Sequence, residues 1–230
     1  MYIVKETMDI LLNKTVFASL WVQILTGLTD IYVLKYNLPM GKEILRDLLK
    51  LEIFVQVIEG IFYAWLATNI AKVSNITQKR YYDWFITTPT MLLTFVVYLI
   101  YLNKGEHEED SLMDKIRQNK KQLTSIVLLN IMMLGMGFLS ETKLLNTNFA
   151  VLTGFIPFFT YFYIIWENYA RYTSQGRTLF WLFSSIWSLY GVAALLPYAQ
   201  KNISYNILDL FSKNFFGVFL AYVVYKNRIQ

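Results

Sequence analysis

Cysteine is absent from the 230-residue chain, and histidine occurs only once. Without cysteine there is no disulfide framework, no thiol nucleophile and no cysteine-ligated metal. The one histidine, His107, stands in the acidic run EHEED, a setting that does not suit a histidine-based catalytic triad or a metal cluster. The sequence therefore indicates neither an enzyme nor a metal site.

Charged residues are also scarce, at 16%, whereas 56% of the residues are hydrophobic and the mean hydropathy is +0.38. This composition excludes a soluble domain of ordinary make-up. A net charge of +5 could indicate nucleic acid, but in a membrane protein the same excess reflects basic cytoplasmic loops. We therefore expect a lipid bilayer, and no nucleic acid, as the partner. No cleavable signal peptide is expected, because the N-terminus MYIVKETMD is charged and the first apolar run is long enough to span.

Seven apolar segments, each about as long as one crossing of a hydrocarbon core, follow one another along the chain. They cover residues 11–34, 48–71, 80–102, 121–140, 148–170, 178–199 and 203–225. The sequence thus predicts an all-α membrane protein, a seven-transmembrane-helix bundle in one domain over residues 1–230. We expect a short turn near Gln200, and a mobile inner loop or a short surface helix in the longest connection, residues 103–120.

The distribution of lysine and arginine predicts the orientation, because cytoplasmic connections carry the excess of positive charge. With the N-terminus outside, the inner connections hold thirteen basic residues and the outer side holds seven, which leaves Lys213 inside the membrane. We therefore predict a multi-pass protein with an extracellular N-terminus and a cytoplasmic C-terminus.

Lys213 lies near the centre of the seventh segment, at a depth where an ammonium costs at least about 2.5 kcal/mol. Asp209 precedes it by four residues and shares its helix face, so the two side chains can approach each other. One interpretation is a buried ion pair that only fixes helix packing. The other is that the amine forms a Schiff base with a carbonyl ligand, whose positive nitrogen needs the aspartate.

A second intramembrane acid opens the third segment, which reads RYYDWFITTPTMLLTF at residues 80–95. Arg80 and Asp83 are three residues apart and share one helix face. Because a buried carboxylate needs a cation, we expect Asp83 and Asp209 to hold Lys213 together, with Arg80 close by.

The chain resembles the microbial (type I) rhodopsins, such as bacteriorhodopsin, over essentially its whole length. The resemblance rests on RYxDWxxTTP in the third segment and DLFSK in the seventh, with WSLYG in the sixth and NIMMLGMG in the fourth. It implies that Lys213 carries all-trans retinal as a protonated Schiff base. Asp83 and Asp209 would be its counterions, with Arg80 in their network. The resemblance further implies that the retinal is lined by Tyr81, Trp84, Thr87, Thr88, Met91, Asn130, Met133, Gly137, Trp187 and Tyr190.

Four positions depart from the pattern of the proton pumps in this family. Where the pumps have a carboxylate eleven residues after the third-segment aspartate, this chain has Thr94, and where they have an outer glutamate it has Lys201. A hydroxyl does not titrate usefully near neutral pH, and a lysine has the wrong sign for proton release. Gly191 and Ala194 replace the usual proline and second tryptophan of the sixth segment, which we expect to loosen the wall of the retinal site. The proton relay is therefore expected to be lost.

Polar stripes occupy one face of three segments. On the first, second and seventh segments they are Thr15, Ser19, Gln23 and Thr26, then Glu52, Gln56 and Glu59, then Asn202, Asn206, Asp209 and Lys213. One interpretation is that such side chains do no more than join helices through hydrogen bonds, which contribute about 0.6 kcal/mol each. Two glutamates inside a membrane are more typical of an ion path or a relay, which favours a hydrated cation path.

Within the family, the chain is similar to the viral rhodopsins described as light-gated cation channels. This resemblance implies a path for monovalent cations, protons among them, between segments one, two, three and seven, in the host-cell membrane of a virus. The path would be lined by Ser19, Gln23, Glu52, Gln56, Glu59, Lys201, Asn202 and Asn206. Lys201 is expected to pair with Glu52 or Glu59 in the closed state and to act as a gate.

The resulting hypothesis is a photoreceptor in which light isomerises the retinal on Lys213 and opens this path. The alternatives are an outward proton pump, a sensory receptor that signals through a separate transducer, and a retinal-free channel or transporter. The last would leave the aromatic spacing unexplained. The sequence leaves ion selectivity and oligomeric state open, a homo-oligomer included.

Overall fold

The computed structural model describes residues 2–70, 72–73, 75–104 and 111–229. The α-helices in this part of the chain are α1 Tyr2–Val33, α2 Glu43–Asn69, α3 Ile76–Lys104, α4 Leu112–Gln118, α5 Lys120–Glu141, α6 Thr147–Asn168, α7 Ser174–Ala194, α8 Tyr198–Asp209 and α9 Phe215–Lys226. A π-helical turn, Leu210–Asn214, joins α8 to α9. His107 and its acidic run lie outside the described residues, among which no cluster of acidic and histidine side chains could hold a metal ion.

Seven crossings form one bundle. Six spans of the described chain are long and apolar enough to cross a membrane, and α7 is the further helix that completes the set. The seventh crossing, Tyr198–Lys226, consists of α8, the π turn and α9. The six long helices that precede it pack in chain order, and α1 closes the ring against α8 and α9. The predicted all-α bundle of seven helices is confirmed.

The predicted segment ends differ from the observed ones at their polar margins. α1 begins at Tyr2 instead of residue 11, because the lysine, glutamate and methionine before the apolar run are good helix formers. The turn predicted near Gln200 is wrong: α7 ends at Ala194, and Pro197 directly precedes α8. A proline lacks the N–H that would continue α7, so the chain turns before it.

Side-chain caps mark where two helices begin. The Ser111 hydroxyl accepts a hydrogen bond from the backbone N–H of Asp114 (3.2 Å), whose carboxylate accepts one from Ser111 in return. This capping box starts α4, so the short-helix alternative for the longest connection is confirmed for Leu112–Gln118. The hydroxyl of Thr173 caps α7 by accepting from the N–H of Gly176 (3.0 Å).

The outside of the bundle is apolar, and its interior holds many of the polar side chains. Trp21, Ile61 and Phe159 each expose 62–63% of their surface. Within the bundle, the rings of Phe95 and Phe183 stack with their centroids 4.5 Å apart and join α3 to α7. An apolar outer surface of this extent fits contact with lipid chains instead of water.

The π turn lies in the middle of the seventh crossing. A π turn adds one residue to a helical turn and is frequent at functional sites. Here it leaves the successive residues Ser212, Lys213 and Asn214 all buried, although neighbouring residues of a regular helix point in different directions. The lysine is thus placed at the centre of the bundle with a polar side chain on each side.

Candidate functional site

The amine of Lys213 lies among three carboxylates. Its Nζ is 3.0 Å from Oδ2 of Asp83, 3.1 Å from Oε1 of Glu59 and 3.6 Å from Oδ1 of Asp209. All four side chains are buried. The structure thus brings both predicted acids to the amine. Glu59, which the sequence analysis placed on the ion path, lies there as well, because α2 packs against the π turn.

Arg80 is the second buried cation of this cluster. Its guanidinium donates to Oδ2 of Asp209 (3.2 Å) and to the hydroxyl of Tyr63 (3.2 Å). It also donates to Oδ1 of Asn202 (3.3 Å) and, through a second terminal nitrogen, to Oδ1 of Asn206. Arg80 therefore ties α2 and α3 to the seventh crossing. The sequence analysis missed Tyr63, although it continues the α2 stripe one turn beyond Glu59.

Asp209 and Asp83 differ in how firmly they are held. The phenols of Tyr63 and Tyr190 donate to the two carboxylate oxygens of Asp209, at 2.6 and 2.7 Å. Oδ1 of Asp83 is buried and has no hydrogen-bond partner among the described residues. Both oxygens of Asp209 are thus held by hydrogen bonds, whereas Asp83 retains a free oxygen beside the amine.

A mostly apolar cavity of about 800 Å³, counted up to its opening at the surface, extends from Lys213 between α3, α5, α6 and α7. Eight residues assigned from the sequence line it: Tyr81, Trp84, Thr88, Met91, Met133, Gly137, Trp187 and Tyr190. The sequence analysis did not assign a further set, namely Leu134, Ala150, Val151, Gly154, Phe155, Phe158, Tyr205 and Ser212. Of these, only Tyr205 carried a signal, because it lies one turn before Asp209 on the face of the seventh crossing.

Two residues assigned to the cavity do not line it. Thr87 is fully buried within α3, where its hydroxyl donates to the backbone oxygen of Asp83 (3.1 Å). Asn130 lies behind the wall and accepts a hydrogen bond from the hydroxyl of Thr88 (2.9 Å). Neither Thr87 nor Asn130 therefore borders the cavity itself, because each makes a polar contact behind it.

The expectation that Gly191 loosens the cavity wall is also wrong. A Cβ at Gly191 would lie 2.5 Å from the ring of Phe155, so that ring already fills the space that a side chain would take. At Gly137 the hydroxyl of Tyr81 occupies the corresponding space. Both glycines are required because aromatic side chains of other helices approach them closely. Ala194 lines the cavity, as expected.

The polar stripes of α1, α2 and the seventh crossing face one another in the interior. Gln23 donates to Oε2 of Glu59, and the hydroxyl of Ser19 donates to the backbone oxygen of Asn206 (3.2 Å). The amide of Asn206 also donates to the hydroxyl of Thr15 (2.8 Å). The amide of Asn202, one turn earlier, donates to Thr77 of α3 (3.0 Å). On the side of the amine toward Tyr198, the stripes therefore form a connected network.

Lys201 does not pair with Glu52 or Glu59. Its Nζ lies 2.7 Å from Oε1 of Glu141, at the end of α5, with both side chains largely buried. Lys201 is near the start of the seventh crossing, whereas Glu52 is near the start of α2, which lies at the opposite end of the bundle. The predicted pairing is therefore wrong. Its partner could not be found from the sequence, because Glu141 belongs to a loop boundary on another helix.

The other half of the path, toward the α1–α2 loop, also holds buried polar side chains, but without partners. Neither oxygen of Glu52 and neither polar atom of the Gln56 amide has a hydrogen-bond partner in the described part of the chain. The same is true of both oxygens of Asp30, which is fully buried near the end of α1. The sequence analysis missed Asp30, although it continues the α1 stripe one turn beyond Thr26.

This arrangement suits the covalent binding of an apolar aldehyde. A buried primary amine is a nucleophile for carbonyl groups, and the cavity beside it is mostly apolar. The carboxylates of Glu59, Asp83 and Asp209 can compensate the positive nitrogen that results.

Comparisons with known proteins agree with this geometry. A sequence model of the family described as bacteriorhodopsin-like protein matches residues 12–227. A solved structure of viral rhodopsin OLPVRII is similar, with 25% identity and a TM-score of 0.83 over 94% of this chain and 98% of that one. Blue light-absorbing proteorhodopsin from Med12 has 17% identity and a TM-score of 0.74, covering 94% and 97%. A halorhodopsin in its ground state has 15% identity and a TM-score of 0.69, covering 94% and 95%. These last two show the fold alone.

No curated protein sequence matches the chain. The family assignment therefore rests on the sequence model, which spans nearly all of the chain. The chain belongs to the bacteriorhodopsin-like family and is a microbial rhodopsin, a multi-pass membrane protein of a family that implies a retinal chromophore.

Proposed function

We propose that this rhodopsin is a light-gated channel for monovalent cations. The chromophore is all-trans retinal, bound to Lys213 as a protonated Schiff base. The amine lies at the inner end of a mostly apolar cavity whose wall includes Trp84, Trp187 and Tyr190, and such a wall fits a long apolar polyene. When bound, retinal supplies light absorption and isomerisation. The chain supplies the charges around Lys213 and the packing that can switch.

The residues around Lys213 set the resting charge distribution. Asp83 and Glu59 lie closest to the nitrogen, and Asp209 is held one step away by its phenols and Arg80. A shift of positive charge away from Asp83 changes the field at Glu59 and Asp209 at once, because all three share one amine. Through Gln23 and Arg80, this change reaches α1 and the outer half of the seventh crossing.

One observation carries the channel proposal: a continuous set of buried polar side chains runs between α1, α2, α3 and the seventh crossing, from Asn202 to Glu52. Hydrogen-bonding side chains without a fixed partner can replace part of the water around a passing cation. Light would open the path by loosening the contacts of Arg80 with Asn202 and Asn206, which close it in the dark.

An outward proton pump is the second candidate, favoured by the free oxygen of Asp83 beside the amine. The surroundings of Thr94 and Lys201 argue against it. The hydroxyl of Thr94 donates to the backbone of its own helix (3.0 Å), and Lys201 is paired with Glu141. Neither position therefore offers an acid that could receive or release a proton along the relay of a pump.

We propose that the N-terminus is extracellular and the C-terminus cytoplasmic, as the loop charges favour. The similarity to viral rhodopsin OLPVRII supports a location in the membrane of a virus-infected host cell. The end of the bundle that carries the α1–α2 loop is then the inner end, and Asn202 lies near the outer end. Residues 1–230 form a single seven-helix retinal-binding domain in this proposal, and the protein acts as a channel without enzymatic activity.

Light-induced current in voltage-clamped cells supplied with all-trans retinal tests the proposal. For a channel, the current reverses its sign as the voltage is swept, and the reversal voltage moves when the cation gradient is changed. A current that stays outward at every voltage would establish a pump instead. Lys213→Ala, which has no attachment site, is the matched control and should give no current.

A further inference from the structure

The inner half of the path contains a group of buried polar side chains that the chromophore site does not use. Asp30 comes from α1, Glu52 and Gln56 from α2, and Asn214 from the π turn. Each has at least one buried polar atom without a hydrogen-bond partner among the described residues, and each is 0–4% exposed. Because nearly all buried polar atoms in native proteins are paired, this group can take up further hydrogen-bond partners or a proton.

Two of these side chains, Asp30 and Gln56, meet at Gly217 of α9. A Cβ built there would lie 2.8 Å from Oδ2 of Asp30 and 2.9 Å from Nε2 of Gln56. The absence of a side chain at Gly217 therefore leaves room for both. Glu52 precedes Gln56 by one turn and so shares its face of α2, as Asn214 does with Gly217 on the seventh crossing.

Among the unpartnered atoms, hydrogen-bond acceptors outnumber donors. Six of them are oxygens, namely both of Asp30, both of Glu52, Oε1 of Gln56 and Oδ1 of Asn214. One is a donor, the Nε2 of Gln56. A group with this excess of acceptors needs hydrogen-bond donors or positive charge.

No lysine or arginine of the described chain forms an ion pair that supplies this charge. Among the described residues, no ion pair includes Asp30 or Glu52, and the charge that acts on Glu52 is that of Asp30. The α3 residue that faces Glu52 is Thr94, whose hydroxyl interacts with the Glu52 carboxyl group but carries no charge. Two ionised carboxylates without a cation are strongly unfavourable in a protein interior, whereas one proton turns an acceptor into a donor and removes one charge.

We propose that Asp30 and Glu52 form a proton-binding carboxyl pair, and that a proton held there keeps the inner half of the cation path closed. With the proton in place, the pair is bridged and links α1 to α2. Without it, two negative charges repel each other and attract a cation. The proposed closure of the cation path depends on the channel function proposed above. The proposed binding of a proton by Asp30 and Glu52 does not depend on it.

Infrared absorption of the full chain in lipid vesicles, in the dark, tests the bound proton. The wild type should show a carbonyl band of a protonated carboxylic acid at neutral pH that shifts in D₂O. Asp30→Asn and Glu52→Gln should each remove the same component. Glu43→Gln, an exposed acid at the start of α2, is the control and should leave it unchanged. Glu52→Asp, which keeps the acid, should retain the component at a shifted position. Identical spectra for the wild type, Asp30→Asn and Glu52→Gln would overturn the proposal.

The dependence of the light-induced current on inner pH tests the closure. The wild-type current should rise as the inner solution becomes more alkaline, over the same pH range in which the infrared component disappears. In Asp30→Asn the current should no longer depend on pH in that range, because the amide cannot lose a proton. If the wild-type current does not change with inner pH over the range in which the infrared component disappears, the bound proton does not close the path. A coloured protein without any current would refute the channel, and the infrared result would still decide whether the pair holds a proton.

Discussion

The outer and inner halves of the polar path use similar side chains, but those around Arg80 in the outer half are paired, whereas four in the inner half keep unpartnered atoms. Around Arg80, the groups of Tyr63, Asn202, Asn206 and Asp209 donate to and accept from one another across three helices. In the inner half, Asp30, Glu52, Gln56 and Asn214 retain unpartnered atoms. We therefore infer that the cation path is closed in two ways. A completed hydrogen-bond network closes the outer half, and a group of side chains that binds a proton closes the inner half.

The largest effect is expected at Lys213, which lies between the outer and inner halves of the polar path. Lys213→Ala should abolish visible absorbance, because no other buried amine borders the cavity in the described part of the chain. Absorbance after addition of all-trans retinal measures this directly. Lys201→Met, which removes an amine outside the cavity, should keep its colour. A coloured Lys213→Ala protein would refute the attachment site.

Breaking the outer network should produce the next largest effect. Asn206→Ala removes the acceptor of Arg80 and the donor to Thr15. A hydrogen bond to a charged group contributes about 1.5–3 kcal/mol, and 1.4 kcal/mol is a factor of about ten. We therefore expect the dark cation conductance to rise about tenfold or more. Asn168→Ala, on the exposed end of α6, is the control. Equal dark conductance in Asn206→Ala and the wild type would show that this network does not close the path.

Gly191 in the cavity wall and Gly135, which lies outside it on α5, form a matched pair of glycines. Gly191→Ala should destabilise the protein by about 1–3 kcal/mol, because the new methyl group meets the ring of Phe155. Gly135→Ala should be neutral or stabilise by up to about 1 kcal/mol, because no atom lies within 4 Å of its Cβ and alanine favours a helix. Thermal unfolding of the two variants measures the difference. Equal Tm values would show that Phe155 moves aside without cost.

The absorbance maximum should respond differently to substitution of the two glutamates of α2. Glu59→Gln should shift the absorbance to longer wavelength, because it removes a negative charge 3.1 Å from the Lys213 nitrogen. Glu52→Gln should shift it much less, because Glu52 lies two helical turns away along α2. The absorbance maxima of the two variants check this order. A larger shift in Glu52→Gln would mean that Glu52, and not Glu59, faces the nitrogen.

The smallest effect is expected at the outer edge. Lys201→Met breaks the partly buried pair with Glu141, which joins the seventh crossing to α5, and should cost about 1 kcal/mol of unfolding free energy. Its dark conductance should match that of the wild type, because Lys201 contacts neither Glu52 nor Glu59 in this structure. The double variant with Glu141→Gln should show that the two losses do not add. A raised dark leak in Lys201→Met would restore a gating role.

The sequence was sufficient for features that depend on local pattern. Long apolar runs predicted the seven crossings, and the spacing of Asp209 and Lys213 predicted their proximity, because both follow from helix geometry. Contacts between distant segments were less predictable. The stripe of Glu52 and Glu59 indicated one face of α2, but not that Glu59 lies at the depth of Lys213. The phenyl ring against Gly191 likewise depends on how α6 packs against α7.

Partners that cross the bundle explain the remaining errors. Glu52 or Glu59 was predicted as the partner of Lys201, but its partner is Glu141. Glu141 lies at the end of α5, where no sequence pattern indicated a contact with Lys201. Asp30 was overlooked at the end of the first segment, where an acid is ordinarily assigned to the interface. Its burial depends on α2 and α9, which lie against that end of α1.

Light-triggered cation flux in vesicles tests the central claim, a light-opened cation path, most directly. Protein reconstituted with retinal would be placed in vesicles with a sodium gradient in one direction, then in the other, at zero membrane voltage. A channel predicts that light drives sodium down the gradient in both cases, so the direction of flux reverses with the gradient. Absence of light-driven sodium flux, together with proton movement in one fixed direction, would contradict the claim and establish a pump.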